Sequence, residues 1–352
     1  MGVDQYLQRG TSGARSSRRS TVVLAILGPL LALGLAGCGS SNSAAKPAVT
    51  YSLVQEPQQG YGSVYSFIDS AKSSIDVTMY AFADPNAQAA LLGAAHRGVD
   101  VRVMFDSDSN GQQIDQAAYA ALKAGGVHVE WAFPGVLWHQ KSIVVDSNRV
   151  MIMTANLDAQ YYPIIRGFLV TTDNPATVSG IVSTFNTDFT HTTSAPKRGV
   201  IPAGSELIWA PGAQNPLVSL IGTAKPGTTL ITENEQFTSP VIAQALVAAA
   251  KRGVTVDVVL TYNASYAPTF NTLVAGGVRV RTYAPNAPLY IQSKAMTVNN
   301  STLYVGSVNF VQSSMNADRN VGLVTTNSVL VHDIQATMMQ DFAGATPYTP
   351  AP

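Results

Sequence analysis

Residues 139–156 read HQKSIVVDSNRVMIMTAN, and residues 292–309 read QSKAMTVNNSTLYVGSVN. Laid side by side, they share a lysine at the third place and an asparagine at the last. Each enters an apolar strand just past its lysine, SIVVD in one and AMTVN in the other. The separations 292 − 139, 294 − 141, 299 − 146 and 309 − 156 all equal 153. A constant offset across chemically matched positions marks an internal duplication.

The duplication extends outward from these stretches. Residues 75–106 (IDVTMYAFADPNAQAALLGAAHRGVDVRVMFD) and 230–261 (LITENEQFTSPVIAQALVAAAKRGVTVDVVLT) both read as strand, loop, alanine-rich helix and alternating strand. Gly98 and Gly253 stand where a helix stops. Leu122–Val127 (LKAGGV) returns as Leu273–Val278 (LVAGGV). These observations predict an α/β fold of two pseudo-twofold-related repeats, each a mixed sheet flanked by helices. The expected bounds are 51–195 for the first repeat, 196–204 for a Pro/Lys/Arg/Gly linker, 205–346 for the second repeat, and a tail over 347–352. Two copies of one unit pack about a local twofold axis, so the paired motifs should face each other across one cleft.

His139, Lys141 and Asp146 in H-x-K-x4-D spacing, followed by Asn156, resemble the HKD signature of the phospholipase D superfamily. The family pattern, H-x-K-x4-D-x6-G-S-x-N, is given once per repeat. The second repeat supplies Gln292, Lys294 and Asn299, then a complete Gly306-Ser307-Val308-Asn309. The resemblance covers about residues 60 to 342. It implies metal-independent phosphodiester transfer without a cofactor. On that pattern His139 attacks phosphorus to form a phosphohistidine, while Lys141, Lys294, Asn156 and Asn309 hold the phosphoryl oxygens. Histidine suits a nucleophile and proton carrier because it titrates near neutral pH. Lysines and asparagines make a preorganised anion clamp.

Three departures bear on activity. Gln292 stands where the second histidine would protonate the departing alcohol, and a carboxamide donates a hydrogen bond without delivering a proton. Asn299 replaces the motif aspartate, a milder loss because tyrosyl-DNA phosphodiesterases also lack that acid. Many relatives carry a carboxylate eleven residues beyond the motif asparagine, where it orients the histidine of the opposite half. This sequence has Gly167 and Asn320 there, with Asp318 a nearby substitute. Loss of a general acid costs about 10²–10⁴ in rate, so esters with good leaving groups are the expected substrates.

Two functions are therefore expected, and they compete. One is a phospholipase D-type phosphodiesterase hydrolysing or transferring the phosphatidyl group of phospholipids. The alternative is a catalytically impaired pseudoenzyme that binds phospholipid or a phosphorylated polymer, or a nuclease-type phosphodiesterase. Charged residues make up only 12% of the chain, with 21 basic and 21 acidic side chains, against about 25% in ordinary soluble domains. That balance argues against an extended nucleic-acid footprint, and a monomer is expected.

The N-terminus reads as an export address. Arg9, Arg15, Arg18 and Arg19 precede an apolar run, Thr21–Ala36, that is short for the roughly 20 residues of a spanning helix. It ends in Leu35-Ala36-Gly37-Cys38, which resembles a bacterial lipobox. The resemblance implies a signal peptide over 1–37, lipidation at Cys38, and a flexible tether over 38–50 on the outer face of the cytoplasmic membrane. An uncleaved signal anchor and a secreted product are the alternatives, and Arg18-Arg19 leaves twin-arginine export open beside the general route. Cys38 is the single cysteine, so neither an intramolecular disulfide nor a thiolate metal site is available.

Other features carry less. Gly222–Thr229 lacks the lysine of a phosphate-binding loop, and Gly306–Asn309 lacks the spacing of a nucleophile elbow. Glu233 and Glu235 read as cleft-rim or packing acids as readily as catalytic ones. Trp138 and Tyr290, beside the motif starts, read equally as cleft wall or packing.

Overall fold

The computed structural model describes residues 48–350. The expected signal peptide, Cys38 and most of the expected tether lie outside the described residues, as do the last two residues of the expected tail. Residues 49–350 belong to one compact unit.

The first repeat supplies β1 (Tyr51–Glu56), β2 (Ser74–Met79), β3 (Phe82–Ala83), β4 (Asp100–Phe105), β5 (His128–Trp131), β6 (Ser142–Val145), β7 (Arg149–Met153), β8 (Leu157–Asp158) and β9 (Ile165–Thr172). Its helices are α1 (Gly62–Asp69), α2 (Pro85–His96), α3 (Ser109–Ala124) and α4 (Pro175–Thr190). The second supplies β10 (Leu207–Ala210), β11 (Thr229–Asn234), β12 (Thr255–Thr261), β13 (Arg279–Tyr283), β14 (Tyr290–Ile291), β15 (Lys294–Val298), β16 (Thr302–Gly306), β17 (Asn320–Thr325) and β18 (Thr346–Pro347). Its helices are α5 (Gln214–Gly222), α6 (Pro240–Lys251), α7 (Ala267–Ala275), α8 (Gln312–Asn316) and α9 (Ser328–Gly344). The stretch between Thr190 and Leu207, which includes the expected linker, carries neither helix nor strand.

The two sheets have matching topology. Strand order is β1-β9-β7-β6-β2-β4-β5 in one and β10-β17-β16-β15-β11-β12-β13-β18 in the other. Helical crossovers make β2-β4-β5 and β11-β12-β13 parallel, while the other neighbours in the two strand orders are antiparallel, β6–β7 and β15–β16 as tight hairpins. Local chemistry is duplicated as well. Asp84 and Ser239 cap the N-termini of α2 and α6, each followed by proline at the first helical position. After each helix a glycine takes a left-handed turn, Gly98 at φ +85° and Gly253 at φ +92°.

Each repeat has its own apolar core. A third core joins them, combining Ile152, Phe168 and Val170 of one sheet with Ile231, Leu303 and Val321 of the other, beneath α4 and α9. Backbone pairing also crosses the seam. Ile291 bridges Arg166 and Trp138 bridges Arg319, and subtracting 153 from the first pair's 291 and the second pair's 319 gives 138 and 166. The guanidinium groups repeat the pattern. Arg166 binds Asp341 of α9 at 2.5 Å, and Arg319 binds Asp188 of α4 at 2.8 Å, where 341 − 188 is again 153. These twin buried ion pairs lock the lobes about the local axis on which the site lies.

Candidate active site

Each motif enters the seam from a strand-pairing junction. The Trp138 backbone N–H donates to Asp106 at 2.6 Å, and the Ile291 N–H donates to the Thr261 hydroxyl at 2.9 Å. The next residues, His139 and Gln292, therefore leave the two sheets at equivalent places, both buried.

His139 is held by the opposite lobe. Its Nδ1 lies 3.1 Å from the Ser307 carbonyl oxygen and 3.2 Å from Asn320 Oδ1. The orientation of Asn320 is fixed, because its Nδ2 donates to the Ser314 carbonyl at 3.0 Å while its Oδ1 accepts from the Ser307 hydroxyl at 2.9 Å. Both partners of Nδ1 are therefore acceptors, so Nδ1 carries the proton and Nε2 presents a free lone pair. Burial, then the charges of Lys141 and Lys294, hold the imidazole well below its ordinary 6.5. The ring is neutral at pH 7, the state a nucleophile needs.

The lysines are fully buried and related by the same symmetry. Lys141 Nζ donates to the His139 carbonyl at 2.6 Å, and Lys294 Nζ donates to the Gln292 carbonyl at 2.7 Å. Lys294 also reaches across the seam to the Thr154 carbonyl at 3.2 Å and pairs with Glu235 at 2.5 Å. Lys141 has no carboxylate at that place; its ammonium sits 4.9 Å above the Tyr80 ring. Burial, then Lys294, depresses Lys141 well below its usual value, with Glu235 and Asp106 pulling the other way. Burial lowers Lys294 too, against the pull of Glu235. The carboxamide oxygens of Asn156, Asn309 and Gln292 are buried and accept no hydrogen bond among the described residues. Two buried ammonium groups, together with carboxamides at 156, 292 and 309 whose NH2 groups can donate, are the residue types suited to binding a phosphoryl group beside a neutral imidazole.

The remaining sequence candidates divide between support and framework. Asp146 and Asn299 sit outside the cluster, at the tips of the β6–β7 and β15–β16 hairpins, with φ +52° and +57°. Asp146 accepts from the backbone N–H groups of Lys72, Ser73 and Ser74, and Asn299 accepts from Lys225 N–H and the Thr228 hydroxyl. Both residue types tolerate the left-handed turn, and an amide replaces a carboxylate there at little cost. Asp318 does not take over the orienting task expected of it: Asn320 faces His139, while the Asp318 carboxyl binds Ser313 and the Leu137 N–H. Glu233 is packed into the Arg166–Asp341 network and accepts from Ser293, whereas Glu235 reaches the cluster. Trp138 is buried beneath the Arg319 guanidinium, a packing role. The Tyr290 hydroxyl stands 3.4 Å from Glu235. The glycine of the second motif is explained by close approach, since a Cβ on Gly306 would meet Gly322 Cα at 2.4 Å.

Sequence reasoning missed Tyr80, the seam arginines and their aspartates. The arginines and aspartates were detectable, because Arg166/Arg319 and Asp188/Asp341 obey the 153-residue offset already in hand. Among the described residues, no cluster of three or more His, Cys, Asp or Glu is placed to hold a metal ion.

A duplicated α/β fold with both motifs on one seam defines a class. The family described as "Cardiolipin synthase, PLD-like domain" matches residues 64–190 and 217–342, well over half of the chain. The chain belongs to the phospholipase D superfamily. Cardiolipin synthase 1 of Bacillus cereus is 29% identical over 128 residues, which cover 35% of this chain and 25% of that enzyme's length. Phosphatidylserine synthase of Haemophilus influenzae superposes with a TM-score of 0.63 at 11% identity, over 85% of this chain and 87% of its own. Polyphosphate kinase of Porphyromonas gingivalis gives 0.63 at 14% identity, over 83% of this chain and 50% of its own. These structural likenesses concern the fold. The superfamily role they accompany is phosphodiester cleavage or phosphoryl transfer.

Proposed function

We propose that this protein cleaves or transfers the phosphatidyl group of a phospholipid through a covalent phosphohistidine at His139. One observation carries the reading: among the described residues both hydrogen-bond partners of Nδ1 are acceptors, which leaves Nε2 unprotonated in the field of two buried ammonium groups. Nε2 attacks phosphorus, the P–O bond to the head group breaks, and Lys141, Lys294, Asn156 and Asn309 bind the equatorial oxygens. The Gln292 carboxamide donates to the departing oxygen but cannot protonate it, so good leaving groups are favoured. Water or a lipid alcohol then attacks the phosphohistidine and regenerates His139. The names of the two synthases in the comparison support a lipid substrate. The Leu35–Cys38 lipobox resemblance supports a membrane-tethered site; a Cys38→Ser variant recovered wholly in the membrane fraction would remove that support.

The test is to mix the protein with phosphatidylcholine labelled in its phosphate, quench under alkaline denaturing conditions that preserve phosphohistidine, and locate the label. Label on His139 in the wild type, absent in His139→Ala, is the expected result. Gln292 and Gly167 favour a second reading, a binder that no longer reacts. In that case both proteins bind phospholipid vesicles equally and neither is labelled.

A further inference from the structure

We propose that Glu56 does for Gln292 what Asn320 does for His139: it holds the catalytic-site side chain of the opposite lobe, by donating its carboxyl proton to the Gln292 carboxamide oxygen. The inference rests on the phosphotransfer reading above.

The local twofold axis supplies the geometry. In the second lobe Asn320 of β17 reaches His139, and the residue across the ladder from Asn320 is the small Ala210 of β10. In the first lobe the roles are exchanged. The matching position on β9 is Gly167, and its cross-strand partner is Glu56 of β1. Directly opposed residues of an antiparallel pair project from the same face of the sheet. The Glu56 carboxyl therefore emerges on the face where a residue-167 side chain would stand. A Cβ at 167 would lie 3.7 Å from Glu56 Cβ and 3.0 Å from Ala155 Cβ, so the space is taken on one side by Glu56 itself. Gln292 is at hand, because its backbone N–H donates to the Arg166 carbonyl at 3.2 Å, one residue before Gly167. The carboxyl missing from β9 has its counterpart on the neighbouring strand.

The hydrogen-bond inventory fits this exchange. Glu56 is fully buried; its Oε2 accepts from the Gly60 N–H at 3.2 Å, while its Oε1 has no partner among the described residues. Gln292 Oε1 is likewise buried without a donor. Leaving two buried acceptors unmatched is unfavourable, and one proton on Glu56 satisfies both. Burial favours that proton, opposed by the Gly60 N–H and the Arg166 guanidinium. With its oxygen engaged, the planar carboxamide turns its NH2 away from Glu56, toward the leaving group.

The experiment uses the full chain with Glu56→Ala, Glu56→Gln, Gln292→Ala and the Glu56→Ala/Gln292→Ala pair. Each is assayed on phosphatidylcholine, an alkyl ester, and on a nitrophenyl phosphodiester. Glu56→Ala is expected to lower kcat on the alkyl ester by about 10- to 100-fold with little change in KM, and to spare the aryl ester. Glu56→Gln, whose amide also donates, restores most of that loss, and Glu56→Ala adds little on top of Gln292→Ala. Equal losses on both esters, no rescue by glutamine, or additive losses overturn the proposal. A second readout is independent of turnover. The infrared difference between wild type and Glu56→Gln should contain the carbonyl band of a protonated carboxyl, shifted in Gln292→Ala. A carboxylate band alone overturns the role of Glu56. The protonated band in a wild type that never labels His139 instead overturns the phosphotransfer reading.

Discussion

Lys141 and Lys294 look interchangeable in sequence, yet the structure assigns them opposite effects on stability. Replacing each with methionine keeps the stem volume and deletes the charge. Lys294 is paired at 2.5 Å with Glu235, itself mostly buried, and donates to two carbonyls. Removing its ammonium strands a buried carboxylate, a change that costs about 3–5 kcal/mol. Lys141 has no carboxylate partner among the described residues; it has the His139 carbonyl and the face of Tyr80, and it is repelled by Lys294. Exchanging an uncompensated buried ion for an apolar group of similar size returns about 1–4 kcal/mol, from which the freed carbonyl subtracts about 1–2. The balance centres on about +1 kcal/mol, so Lys141→Met should melt about 2–4 °C above the wild type at pH 7, and Lys294→Met well below it. Both should lose activity.

The pH dependence gives the sign a second check. The Lys141 ammonium is depressed in the fold relative to an unfolded value near 10.4, so within that window the unfolded chain binds more protons. Wild-type stability then rises with pH toward about 10, and the advantage of Lys141→Met narrows over the same range. Thermal denaturation of the three proteins at pH 7, 8.5 and 9.5 measures this. If Lys141→Met is destabilised at pH 7 as much as Lys294→Met, the account of an uncompensated ammonium is wrong.

Other outcomes follow from the same geometry. The acid limb of kcat/KM should fall below pH 6.5, because burial and two lysines keep His139 neutral, and in Lys141→Met residual activity should show that limb at higher pH. Gln292→His should raise turnover of phosphatidylcholine more than of the nitrophenyl ester; an equal change on both would count against a missing proton donor. Asp188→Ala and Asp341→Ala should each cost about 3–5 kcal/mol in urea unfolding, since each strands a buried arginine on the seam, whereas one mild and one severe result would deny the symmetry of the two locks. Asp146 is held down to about 2 by backbone N–H groups, so the stability it contributes is present above pH 4 and lost as pH falls toward 2. Asp146→Asn should flatten that part of the acid-unfolding profile, and Asn299→Asp should introduce a similar dependence in the second hairpin.

The offset of 153 residues made much of this protein legible before any coordinates. It paired the sheets and placed two lysines and a histidine on one seam, while the family resemblance implied that residue 320 faces residue 139, as the Nδ1 contacts show. A repeat can be read this way because each half must bury the same faces against its twin. What remained hidden depends on pairings that repeat arithmetic does not reach. Asp318 reads as a substitute because it is a carboxylate, but it precedes β17 and its carboxyl is taken up by Ser313 and the Leu137 N–H, whereas Asn320 is the first residue of the β17 ladder and reaches His139. Glu56 was invisible for a related reason. Its importance comes from standing across β9 from Gly167, more than a hundred residues away, and neither its neighbours nor its 153-residue counterpart, Trp209, is informative. Duplicated enzymes lose symmetry where the chemistry is asymmetric, so the positions that break the offset are the ones to inspect. Here they are Tyr80 where the other lobe has Glu235, Gln292 where it has His139, and Gly167 with Glu56 where it has Asn320 with Ala210. On the proposed function, the first lobe keeps the nucleophile and the second keeps the ion-paired lysine, and the side that would release the head group is built from a carboxamide and a carboxyl on an adjacent strand.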